Sequence, residues 1–164
     1  MEDQLVECFT MFGKKKRVLL SSLSFRPAAY GVIVQDGQVI VVNTRSTGKY
    51  SLPGGGVEAE ETIEEGLKRE IKEEIGIDID IGDFIHFNEN YFYYDPLNEA
   101  VHSYQYFFLC FPKTSLKGDH VIQDLEAFDP QWMTIDQLHE GNIQGPEIGI
   151  LPVMHKLLGR KSEK

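Results

Sequence analysis

The segment IEEGLKREIKEEIG, residues 63–76, constrains the fold more than any other stretch of this chain. Ile63, Leu67, Ile71 and Ile75 recur every fourth residue, which on a helix draws a single apolar stripe. Such a stripe demands a flat apolar surface to cover it. Gly76 follows the last periodic position, where glycine ends a helix most readily. With Ile63 at 0° and about 100° per residue, the stripe reaches to about 120°, while Glu70 falls near about −20°, Glu74 near about +20° and Glu73 near about −80°. Glu70 and Glu74 therefore border the surface the helix must bury, and Lys68 and Lys72 take the far side. Carboxylates three and four residues apart repel by a few tenths of a kcal/mol, and a charge at a core edge is costly unless paired or metal-bound. Two readings follow: a solvated acidic face, or oxygen ligands on one rigid element converging on a hard cation such as Mg²⁺ or Mn²⁺.

The surface that covers the stripe is expected to be a sheet. Residues 27–45 hold two β-branched runs around Asp36-Gly37, the strongest short-range hairpin signal. A Pro- and Gly-rich loop, YSLPGGGVEAEE, leads into the helix, which should start near residues 60–62. Residues 77–94 and 100–111 read as two long strands joined by DPLNE. Residues 128–138 read as a short strand entering a helix, with Thr134 or Asp136 as its cap, and a last helix is expected over about residues 148–158. Residues 1–25 show no clear period. Strands alternating with helices predict an α/β domain with a mixed central sheet.

Size and composition limit the function. A chain of 164 residues fits one domain that buries about two thirds of its unfolded surface. Cys8 and Cys110 are too few and too far apart for a disulfide framework or a zinc site, which favours a reduced, cytoplasmic setting. Residues 14–25 begin basic and continue apolar, but serines interrupt the run and thirteen residues precede it, so neither a signal peptide nor a membrane span is expected. The net charge of −10 argues against a nucleic-acid-coating surface. Eight Glu against three cations between residues 58 and 74 concentrate half of that charge beside the helix.

One spacing is specific. Gly55, five residues, Glu61, seven residues, Arg69-Glu70-Ile71, one residue, Glu73-Glu74, one residue, Gly76-Ile77 fills nine positions over 23 residues. This resembles the signature of the Nudix hydrolases, enzymes that cleave nucleoside diphosphates linked to another group. The resemblance implies an α/β/α sandwich with a mixed central sheet, formed as a single domain over residues 26–160 behind an N-terminal segment, residues 1–25, of no assigned role. It implies that Glu70, Glu73 and Glu74 ligate Mg²⁺ or Mn²⁺, that the Gly54 carbonyl completes the shell, and that Arg69 and Glu61 form an orienting pair. Where such enzymes often carry Gly before the first signature glutamate, this chain has Glu60. Glu126, six residues ahead of Trp132, holds a loop position comparable to that of a catalytic glutamate in MutT-type members. Asp124, Asp129 and Glu89 are its rivals, and a loop carboxylate facing water is the alternative.

The resemblance further implies a small nucleotide partner, first of all a (d)NTP or modified nucleotide hydrolysed to the monophosphate and pyrophosphate. Dinucleoside polyphosphates, nucleotide sugars and an RNA 5′ end are alternative substrates, and a non-catalytic nucleotide-sensing module is an alternative of another class. Arg45 and Arg26 flank the first hairpin and would meet phosphates, Arg45 the better placed because it precedes the glycine loop. Tyr93 and Tyr104, within the aromatic-rich stretch from residue 90 to 111, would stack a base, unless these rings only pack across the sheet. The run from Lys14 to Arg17 reads as an exposed tail within reach of anionic substrate or RNA. Monomer and homodimer both stay open.

Overall fold

The computed structural model of the chain describes residues 4–118 and 126–159; Asp124 lies outside the described residues. Its strands are β1 (Leu5–Thr10), β2 (Lys15–Leu19), β3 (Leu23–Gln35), β4 (Gln38–Thr44), β5 (Tyr50–Ser51), β6 (Gly54–Gly56), β7 (Ile79–Tyr94), β8 (Glu99–Pro112) and β9 (Ala127–Thr134), with helices α1 (Ile63–Ile75) and α2 (Leu151–Leu158). The sheet runs β2-β1-β7-β8-β3-β4-β5, with β6 on β3 and β9 on β4. It is mixed: β3–β8 and β1–β7 are parallel, and the other pairs are antiparallel.

Local chemistry sets the element ends. Asp36 and Gly37 both have positive φ, 51° and 76°, so the β3–β4 turn is of the primed kind that matches strand twist. Thr62 caps α1 in a capping box with Glu65, and Gly76 closes it in the left-handed conformation at φ 76°. Leu67, Ile71 and Ile75 are fully buried, as the four-residue spacing predicts. Burying side chains of this kind contributes roughly 1.5–3 kcal/mol each.

The core lies on both faces of the sheet. Ala29 and Ile33 of β3 with Ile40 and Val42 of β4 pack under α1, while the alternate residues Val32, Val39 and Val41 pack with Leu151 and Met154 of α2. This alternation makes an α/β/α sandwich. The expected strand-to-helix passage near Thr134 is a single 3-10 turn, Ile135–Gln137, capped by Thr134, and another 3-10 turn, Gly145–Ile150, precedes α2. No helix among the described residues is long and apolar enough to cross a membrane.

The N-terminal segment departs from expectation. Residues 5–19 form a hairpin that joins the same sheet, β1 lying parallel to β7 with Phe9 opposite Phe92. The run Lys14 to Arg17 is not a free tail, because most of it is strand β2. Lys15 pairs with Glu7 at 2.7 Å, and Lys16 Nζ sits 3.8 Å from the centre of the Tyr93 ring. A five-residue strand whose side chains are mostly polar leaves little period to read.

Candidate active site

α1 delivers its carboxylates as the helical wheel requires. Glu74 is buried, Glu70 is half-buried and Glu73 is exposed. The Gly54 backbone N–H donates to Glu74 Oε2 at 3.2 Å, which ties the helix to β6. Gly54 has φ 145°, and a Cβ there would stand 2.1 Å from the Ala29 carbonyl oxygen, so no other residue fits without moving β3. At Gly55 a Cβ would meet Glu70 Oε2 at 2.7 Å. The glycines thus let backbone and carboxylate approach one another.

Arg69 organises the acidic cluster. Its Nη1 donates to Glu70 at 2.9 Å and to Glu73 at 3.3 Å, its Nη2 donates to the Gly56 carbonyl at 3.0 Å and to Glu61 at 3.1 Å, and its Nε donates to the second Glu61 oxygen. The hydrogen bond from Arg69 holds the Glu61 carboxyl below the usual carboxylate range, and Glu61 in turn raises the guanidinium. Among the described residues no three acidic, His or Cys side chains form a ready-made metal cluster as arranged. One guanidinium lies between Glu70 and Glu73, where it balances part of their charge.

These groups open onto a cavity of about 600 Å³. Its walls include Gly54, Gly55, Gly56 and Glu70 at one end and Glu126 at the side. Glu126 Oε1 accepts from the Ser46 backbone N–H at 2.8 Å and from the Ser46 hydroxyl, which also reaches the Met11 carbonyl at 2.8 Å. Of its rivals, Glu89 bonds His102 at 2.8 Å on the opposite face of the sheet, and Asp129 accepts from Asn43 at 3.3 Å. Neither lines the cavity.

The two arginines exchange rank. Arg26 lines the cavity so close to Gly56 that a Cβ there would meet its Nε at 2.7 Å, whereas Arg45 lies 4.5 Å from the Phe128 ring centre and outside the lining. Tyr93 and Tyr104 also lie outside it. Tyr93 is buried with Cys8 and Ala100, and Tyr104 stacks in an aromatic row with Phe25 and Phe87. The cavity rings of this hairpin are instead Phe92 and Tyr94, one strand position away from the expected one.

Sequence reasoning missed the cavity floor. Tyr30 is hydrogen-bonded to Gln105; Gln105 Oε1 accepts from Asn88 at 3.0 Å, and Asn88 donates on to the Pro146 carbonyl at 2.8 Å. Beside them Glu147, 4% exposed, accepts from the Ser51 hydroxyl at 2.7 Å and from the Leu52 N–H at 2.9 Å. Burial pushes its carboxyl up to about 7, against the lowering effect of those two donors. Glu147 follows Pro146 in an irregular stretch without period, so only its rarity as a buried acid marks it, and that is invisible before folding.

Known proteins resemble this chain in sequence and in fold. A NUDIX domain family matches residues 25–154. An ADP-ribose pyrophosphatase of Methanocaldococcus jannaschii is 38% identical over 69 residues, 39% of this chain and 41% of that protein. A MutT-like protein of Streptomyces ambofaciens is 40% identical over 52 residues, 31% of this chain and 34% of that protein. The matches thus span well under half of these relatives' lengths. Among solved structures, an ADP-ribose pyrophosphatase from Streptococcus suis superposes with TM-score 0.59 at 16% identity, covering 84% of this chain and 94% of that one. The MutT protein from Methanosarcina mazei gives 0.60 at 19% identity, covering 84% and 96%. At such identities the structures speak for the fold alone, but the domain match covers most of the sequence, and the chain belongs to the NUDIX family.

Proposed function

We propose that this chain is a hydrolase that cleaves a phosphoanhydride bond in a small substrate built on a nucleoside diphosphate. The observation that carries the reading is the meeting of acid and glycine at one cavity end, with Glu74 on the Gly54 N–H, Glu70 against Gly55 and Arg26 over Gly56. The donors there are all hard oxygens, which suits Mg²⁺ or Mn²⁺. Glu70, Glu73, Glu74 and the Gly54 carbonyl would hold the cation, with Glu126 as a further carboxylate. When bound, it would neutralise the phosphate oxygens and lower the pKa of the attacking water.

The chain's own groups then have separate tasks. Arg26 binds an anionic phosphate oxygen, and the β6 glycines let that phosphate reach the backbone. Arg69, held by Glu61, fixes the rotamers of Glu70 and Glu73. Ser46 orients Glu126, which accepts the proton of the attacking water. Positioning and electrostatics of this kind supply most of the acceleration in phosphoryl chemistry.

The (d)NTP, first on sequence grounds, gives way to a diphosphate joining two groups, with ADP-ribose as its type. Among the described lining residues Arg26 is the one cation, beside Glu70, Glu99, Glu126 and Glu147. Such a wall disfavours the higher charge of a free triphosphate. The sequence relative named an ADP-ribose pyrophosphatase supports this order. The test is product release from ADP-ribose, nucleotide sugars, dinucleoside polyphosphates and nucleoside triphosphates, with Mg²⁺ and with excess chelator. We expect hydrolysis with metal only and ADP-ribose or a nucleotide sugar among the best substrates. No turnover of any member of the panel, or equal turnover in chelator, would overturn the assignment.

A further inference from the structure

The N-terminal hairpin contributes a wall to the cavity that no catalytic step uses. Residues 5–19 precede the matched NUDIX domain, which begins at residue 25, yet Phe9 and Met11 line the same cavity as Glu70. The hairpin is tied down there. The Met11 N–H donates to Asp95 at 3.3 Å, and its carbonyl accepts from Ser46, the residue that orients Glu126.

The strand register orders the cavity face row by row. Arg26 lies opposite Ser103, which lies opposite Asn90; two residues along, Phe9 lies opposite Phe92, which lies opposite Val101. All six line the cavity. Rows two residues apart are about 6.6 Å apart along the strands. Leaving the glycine end, a ligand therefore meets a row that holds the cation and two polar side chains, then an apolar and aromatic row. In the first of these rows the Asn90 Oδ1 is buried without a hydrogen-bond partner among the described residues. An acceptor left unmade in a cavity wall is costly and points to a donor from a ligand.

We propose that this row order is a nucleoside subsite, read with the 5′-phosphate at Arg26, a sugar hydroxyl donating to Asn90 and the base against Phe9 and Phe92. The N-terminal hairpin is thus a specificity element, and the inference rests on the reading of the cavity as a nucleotide-hydrolysing site. Phe9 is 45% exposed, a flat ring that a base would cover.

The test uses the full chain and two probes that are not hydrolysed, AMP and ribose 5-phosphate, with binding followed by calorimetry. The unchanged chain should bind AMP about tenfold or more tighter than ribose 5-phosphate, because only AMP has a base to stack. Phe9→Ala should lose most of that preference while ribose 5-phosphate binds as before, and Asn90→Ala should weaken both probes. Phe9→Leu keeps the strand apolar and should shift the preference the same way, so a loosened hairpin in the alanine variant leaves the test intact. Equal binding of the two probes by the unchanged chain, or an AMP preference indifferent to both Phe9 variants, would overturn the subsite. Phe9-dependent AMP binding without hydrolysis of any nucleotide would uphold the subsite and sink only the proposed activity.

Discussion

The β7–β8 hairpin has two faces made from alternate residues of the same strands, and they differ in what they meet. One carries Asn90, Phe92, Ser103 and Gln105 into the cavity. The other carries Phe87, Tyr91, His102, Tyr104 and Tyr106, which stack on one another and on Phe25 with ring centres 4.5–6.2 Å apart. Most of the aromatic residues are on the face turned away from the cavity. Ring density therefore marks packing, and the cavity face is the one with mixed polar and aromatic residues beside the glycine strand.

Substitutions can break that contrast. The largest effect is expected at the glycine end of the cavity, where Glu70→Gln should lower kcat by at least about a hundredfold, roughly 3 kcal/mol of barrier. Its melting temperature in chelator should hold or rise, since a like-charge repulsion is relieved. A fall of many degrees would make Glu70 structural. Glu126→Gln should lower kcat by about tenfold, near 1.4 kcal/mol, with KM and melting temperature little changed. Unchanged turnover at saturating metal and substrate would remove Glu126 from the reaction and pass its role to Asp124.

The floor of the cavity gives a pH signature. Glu147 has a folded value near 7, raised from the ordinary 4.5 by burial. Folding then favours its protonated form, so its contribution to stability is complete below about pH 4.5 and is lost as pH rises through about 7, by up to about 3 kcal/mol. Melting curves from about pH 5 to 8 should decline, and Glu147→Gln should flatten the decline. Parallel curves for the two proteins would show that Glu147 does not titrate in this range.

The smallest effect is expected on the stacked face. Tyr104→Leu should cost about 1 kcal/mol of stability through lost ring contacts and change kcat/KM by less than about twofold. A tenfold loss of kcat/KM would return Tyr104 to the list of substrate contacts.

The helix and its signature were legible because their geometry is local. A helix is phased by bonds between residues four apart, so the stripe Leu67, Ile71, Ile75, the burial of Glu74, the Thr62 cap and the Gly76 stop follow from neighbours in sequence. The same holds for the Asp36-Gly37 turn. A strand has no such internal reference. Which alternate residue faces the cavity is set by partners far away, as Ser103 is by Arg26 of β3, and by the register shifts between Ile81, Phe84 and His86. A change of one residue exchanges the faces, which is why Tyr93 and Tyr104 read as substrate contacts while Phe92 and Tyr94 line the cavity. Glu147 and the Phe9 wall, and the rank of Arg26 over Arg45, came from tertiary structure alone, since each is decided only when segments distant in sequence close on one cavity.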